Sequence, residues 1–188
     1  IVLSFVASIL ACIAYYFAEQ KKDTAEASNW LKIGRIGYIV HGLSLFTTIA
    51  CIFYVMYFRM YEYQYAQLHV SDDLEMKYIL SAFWEGQEGS TMLWAFWNVI
   101  LGNILIHTTK KWEGSVLMIF ASVQVFLSAM LLGIFPFDIQ IGSNPFVLLR
   151  EHPDMINLPF TSNPKYLEFV EGKTLPAVAM LTERSNSV

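Results

Sequence analysis

The stretch IGYIVHGLSLFTTIACIFYVMYF, residues 36–58, contains no Asp, Glu, Lys or Arg. A hydrocarbon core about 30 Å thick needs roughly 20 apolar residues to cross it as a helix. A charged residue at the centre of such a helix costs about 3 kcal/mol of insertion free energy. The stretch is long enough and charge-free, and it is read as membrane-spanning. Working outward, three more segments read the same way: Ile1 to about Ala18, about Ser90 to His107, and about Ser115 to Phe137. The first starts abruptly within its apolar run and is expected to continue an earlier part of the span.

Composition agrees. The 188 residues are 55% hydrophobic and 15% charged, whereas a soluble domain carries about a quarter charged residues. Four such runs in so short a chain exceed what the core of a soluble protein accommodates. The expected fold is all-α: a polytopic membrane protein with about four transmembrane helices and an irregular outer tail. The expected division is a four-span region, 1–137, and a Pro-rich extracytoplasmic tail, 138–188. Pro145, Pro153, Pro159, Pro164 and Pro176 oppose a further long helix there. Residues 165–171, KYLEFVE, have the pattern of a short amphipathic helix.

The loops set the orientation. Lys21, Lys22, Lys32 and Arg35 follow the first span, and Lys110 and Lys111 follow the third. The connection after the second span carries Arg59 and Lys77 against Glu62, Asp72, Asp73, Glu75, Glu85 and Glu88. The positive-inside rule puts the first and third loops in the cytoplasm, and the 59–89 loop and the tail outside. A net charge of −4 with no basic stripe gives nucleic acid no purchase.

Residues 83–97, FWEGQEGSTMLWAFW, set a polar turn at the mouth of the third span. Gly86 and Gly89 allow a bend, Ser90 suits a helix cap, and Glu85 and Glu88 suit a helix N-terminus. Trp94 and Trp97, three apart, share a helical face, with Trp84 just before it. Their spacing leaves two readings open, an interfacial anchor or a flat apolar platform for a flat apolar ligand. His41 enters the second span and is a candidate haem or metal ligand, because intramembrane ionisable groups are functional candidates by default. His107 closes the third span among lysines, His69 lies in the outer loop, and His152 stands in EHPD of the tail. No histidine pair has metal-site spacing, and no nucleophile motif is present, so catalytic and metal residues are assigned to none. Cys12 and Cys51 form no CxxC or CxxCH and are expected to be small buried hydrophobes.

Residues 61–94, YEYQYAQLHVSDDLEMKYILSAFWEGQEGSTMLW, together with Ser143-Asn144-Pro145-Phe146, resemble the cytochrome c assembly protein family (CcmF/CcsA-type, the haem lyase component of cytochrome c biogenesis). The form resembled is the Bacteroidetes-like one, over about residues 38–175. His69 fills the family's histidine position, although Val70 separates it from Ser71. Tyr78, Trp84, Gly86, Glu88, Gly89, Ser90, Leu93 and Trp94 fill the rest of the motif.

The resemblance implies a multispanning protein of the bacterial inner membrane that handles haem and presents it to apocytochrome c on the periplasmic face, beside other maturation membrane proteins. It implies non-covalent, transient haem, with Trp84, Glu88, Trp94, Trp97 and His69 as the candidate cofactor-binding residues. It also shifts the reading of the tryptophans toward a platform. The family's tryptophan-rich loop and His-Pro-Pro segment have no counterpart in this sequence, and His152-Pro153 stands too early to supply the latter. Glu171-Gly172-Lys173-Thr174-Leu175 begins a family stretch that breaks at Pro176. Truncation or a shifted reading frame is the expectation there, with haem lyase activity absent from this portion alone. The alternative expectation is a non-enzymatic membrane scaffold that docks partner subunits without haem. A third, a transporter fragment with His41 on an ion path, lacks the broken helices or repeats such proteins show.

Overall fold

The structure is a computed structural model, and it describes residues 1–134 and 141–149. The end of the fourth predicted span, the KYLEFVE segment, His152 and the break at Pro176 lie outside the described residues. Among the described residues the protein is all-helical, with four long apolar helices: α1 (Val2–Gln20), α2 (Ala27–Tyr57), α5 (Gln87–Thr108) and α6 (Glu113–Leu132). Two short helices, α3 (Gln64–His69) and α4 (Ile79–Glu85), lie between α2 and α5. Each long helix is long and apolar enough to cross a membrane, which makes this a multi-pass membrane protein. The described residues divide into two compact units, 1–50 with 87–134 and 141–144, and 51–86 with 145–149.

In the first unit α1, α2 as far as Ala50, α5 and α6 pack as a closed ring, and glycines set their spacing. Gly37 of α2 lies on Ala11 of α1, where an added Cβ would stand 3.2 Å from the Ala11 backbone nitrogen. Gly42 of α2 meets Val99 of α5, and Gly102 of α5 accommodates the Tyr38 ring. Helix α6 closes the ring against α5 and α1. Small residues at helix contacts let backbones approach closely, which matters where lipid removes any hydrophobic drive for helix association.

Helix α1 shows how the sequence sorts its faces. Ser4, Ala7, Ser8, Ala11, Ala14 and Ala18 recur every three or four residues and are buried with Tyr15. Val2, Leu3, Val6, Leu10 and Ile13 are exposed on the other side. Small inside and large aliphatic outside inverts the pattern of a soluble bundle, and it is what a lipid-facing helix requires. The same inversion corrects the expectation for Cys51, which is exposed on α2. An apolar run fixes what can face lipid, not which side faces protein. Cys12 is half-buried, its Sγ 3.9 Å from the Met118 carbonyl oxygen.

Two boundaries differ from expectation. Helix α2 begins at Ala27, so Lys32 and Arg35, expected in a loop, are helical. At about 1.5 Å per residue its 31 residues reach roughly 46 Å, which carries its charged end past the apolar slab. Helix α5 begins at Gln87 and takes in Glu88, Gly89 and Ser90, so Ser90 lies inside the helix and not at a cap. Neither Gly86 nor Gly89 has a positive φ, and Gly86 is extended at φ −76°. Positive φ belongs instead to Arg59, Gly142 and Gly133, the last of which ends α6 at φ 65° and returns its N–H to the Met130 carbonyl.

The approach of Gly102 to Tyr38 is the most sensitive contact of the ring, since an added Cβ would fall 2.1 Å from the Tyr38 hydroxyl oxygen. Gly102→Ala is expected to destabilise the protein by about 1–3 kcal/mol, the usual cost of overpacking. Ser122→Ala, at an exposed position, should stay within about 0.5 kcal/mol. Reversible unfolding in mixed detergent micelles measures both.

Candidate functional site

The predicted site residues fall in both units. Glu88, Trp94 and Trp97 are on α5 in the first, and His69 and Trp84 are in the second.

On α5, Trp94 is 71% exposed and Trp97 55% exposed. Leu101 and Ile104 continue the same outward stripe toward the other end of the helix. The Trp97 ring meets Phe96 edge to face, 5.4 Å between centroids. Both indoles therefore present apolar surface away from the helix bundle. Glu88 has a different role. It lies in the first turn of α5, where the helix dipole favours a carboxylate, and its Oε1 accepts a hydrogen bond from the Ser143 hydroxyl. The Glu-Gly-Ser and Ser-Asn-Pro motifs, more than fifty residues apart in sequence, are thus joined. That bond gives Glu88 a structural task.

The second unit builds the surroundings of His69 from backbone outward. Residues 62–64 pair with the stretch after Pro145: the Gln64 N–H donates to the Val147 carbonyl at 3.0 Å, and the Leu149 N–H to the Glu62 carbonyl at 2.9 Å. Tyr63 and Leu148 form an antiparallel bridge. This seats α3, whose Tyr65 hydroxyl donates to the Phe83 carbonyl of α4. Phe83 in turn stacks on Phe53, 4.5 Å between centroids.

His69 closes α3. Its ring stacks on Tyr65 at 4.4 Å, and its Nδ1 lies 2.9 Å from the Tyr65 carbonyl oxygen. A carbonyl only accepts, so Nδ1 carries the proton and, in the neutral ring, Nε2 carries the lone pair. Nε2 lies against Gly86, 2.7 Å from where a Cβ on that residue would stand. Glycine at 86 therefore makes room for the packed imidazole and Tyr65 ring, not for a bend. Trp84, two residues before, is 46% exposed at the last turn of α4.

Sequence reasoning named His41 only as a candidate, and the structure gives it a defined setting in the first unit. It is fully buried. Its Nδ1 lies 2.9 Å from the Ser4 carbonyl oxygen and 3.0 Å from the Ser4 hydroxyl, so Nδ1 again carries the proton. Its Nε2 makes no hydrogen bond among the described residues. Buried Gln124 donates to the Ala95 carbonyl at 2.8 Å, and the Tyr38 hydroxyl donates to the Asn98 carbonyl at 3.0 Å. Gln124, Asn98 and Ser4 drew no attention in the sequence. A lone Gln inside a charge-free run, as at 124, was the available signal.

Among the described residues no group of three His, Cys, Asp or Glu side chains can hold a metal ion. Comparison with protein-family models, with curated proteins and with solved structures finds no match. The class of the chain therefore rests on its own architecture, an all-helical multi-pass membrane protein with two tautomer-fixed histidines.

Tyr61, in the connection after α2, supplies a pH test of the second unit. It is 4% exposed, and its hydroxyl donates to Asp72 Oδ1 at 2.7 Å. Burial, then the bond to the Asp72 carboxylate, raises its pKa above the ordinary tyrosine value of 10.0. Because the folded pKa is the higher, this contribution to stability is complete below about pH 10 and declines as pH rises further. Tyr61→Phe is expected to lose about 1.5–3 kcal/mol, the worth of a hydrogen bond to a charged group, and to flatten the alkaline decline. Unfolding midpoints measured between about pH 8 and pH 11 check both.

Proposed function

We propose that this chain handles haem at the outer face of a bacterial inner membrane, as the cytochrome c assembly proteins it resembles do. In this reading it helps present haem to apocytochrome c together with other maturation membrane proteins. The 59–89 loop and the chain from 138 on lie on the periplasmic side.

One observation carries the proposal. His69 offers a lone pair on Nε2, its tautomer fixed by the bond from Nδ1 to the Tyr65 carbonyl, on a ring that packs against Gly86. Metal-bound histidines have this arrangement, the second ring nitrogen held by a backbone carbonyl that sets the tautomer and orients the ring. A neutral imidazole Nε2 is a donor of the kind haem iron takes, and His69 is the residue that would hold it. Stacking on Tyr65 holds the ring in place, and Trp84 of the same unit supplies an exposed indole suited to a flat apolar ligand. Bound haem would supply the vinyl groups that cysteine thiols of a CxxCH client take up as thioethers.

The scaffold reading draws on a different observation, the outward stripe of Trp94, Trp97, Leu101 and Ile104 on α5. A helix from a partner subunit can pack on such a face without any haem.

Titration of the purified chain with haemin in detergent separates the two. Haem handling predicts a Soret band typical of histidine-ligated iron. The band should be lost in His69→Ala and in Gly86→Leu, whose side chain would displace the imidazole, while helix content by circular dichroism and the ultraviolet absorbance of the tryptophans stay unchanged. A folded protein with no such band, or with a band indifferent to His69, would leave the scaffold reading in its place.

A further inference from the structure

We propose that a cleft between α2, α5 and α6, at the end of the first unit that carries the cationic residues, binds the phosphate of an anionic phospholipid. The cleft has a volume of about 490 Å³, within the range of small-molecule sites. Arg35, Asn103, His107 and Lys110 line its polar side, and Leu31, Ile39 and Ile106 its apolar side.

The charges are arranged to receive an anion. The cleft's one acidic residue, Glu113, is 2% exposed, and both its oxygens are taken by Arg35: Nε to Oε1 and Nη2 to Oε2, each at 2.6 Å. This two-point pair is specific to a guanidinium. It neutralises the buried carboxylate and orients Arg35, whose Nη1 has no hydrogen bond among the described residues. Lys110 forms no ion pair among the described residues, so its ammonium is available to a phosphate oxygen. His107, in the last turn of α5, stands on the same wall.

The apolar side decides between a lipid and a free ion. Leu31, Ile39 and Ile106 offer nothing to inorganic phosphate, and they suit the first carbons of an acyl chain. Ile39 is exposed, and Ile36 beside it on α2 is exposed as well, so the apolar wall opens onto the lipid-facing surface of the helix. Basic pockets between transmembrane helices near a headgroup layer take acidic lipid heads in this manner.

The test is native mass spectrometry of the full chain in detergent, titrated separately with phosphatidylglycerol and phosphatidylcholine. The expected result is one phosphatidylglycerol retained in preference to phosphatidylcholine, with affinity about five-fold lower in Lys110→Gln, the worth of one cation near an anionic lipid. Lys22→Gln, which removes an exposed cation outside the cleft, should bind like the unaltered protein. Arg35→Lys keeps a cation for Glu113 but removes the fork, and it should weaken retention further. Circular dichroism confirms that each variant is folded. Equal retention of the two lipids, or a Lys110→Gln protein that binds like the parent, would overturn the proposal. So would inorganic phosphate displacing phosphatidylglycerol at equal concentration, since that would mark a free-phosphate site.

Discussion

Close approach of helix backbones is the constraint on which the first unit depends. Lipid is as apolar as leucine, so burying leucine between helices gains little in a membrane, and association falls to packing and hydrogen bonding. The contacts of Gly37 with Ala11 and of Gly102 with Tyr38 meet that constraint. They bring the backbones near enough for side chains to reach carbonyls on neighbouring helices. Tyr38 reaches Asn98, Gln124 reaches Ala95, and His41 reaches Ser4 only because the helices are held so close.

Those reaches satisfy some of the polar groups that the largely apolar interior encloses. A buried polar group without a partner costs several kcal/mol in an apolar medium, and each of these side chains spends a donor on a backbone carbonyl already within a helix. The backbone thereby acts as a set of fixed acceptors, and the histidine tautomers follow from it. In both His41 and His69 a carbonyl holds the proton on Nδ1 and leaves the lone pair on Nε2. The two sites differ in surroundings: His41 is fully buried, and His69 is part-buried with its ring packed against Gly86.

The four long helices were legible in the sequence because span length and absence of charge are one-dimensional properties. Their ends were less so. Lys32 and Arg35 read as loop residues, yet α2 runs through them, since a helix longer than the apolar slab can carry charge at a projecting end. Glu88 read as a site residue, and its bond to Ser143 depends on a return of the chain that no local pattern announces. The direction in which Cys51 faces was likewise hidden, because every residue of an apolar run satisfies lipid equally well. His69 was legible as a candidate from a motif. The reason for glycine at 86 required the packing of α3 against α4.

The ion pair of Arg35 with Glu113 carries a consequence for biosynthesis. Glu113 opens α6 and is almost wholly enclosed, so α6 alone would present an uncompensated carboxylate as it leaves the translocation machinery. Its partner lies 78 residues earlier in the chain, and synthesis proceeds from the N-terminus. Arg35 is therefore already in place on α2 when Glu113 emerges. The order of residues along the chain supplies the counter-ion before it is needed, and the last described helix is delivered to a site that the second has prepared.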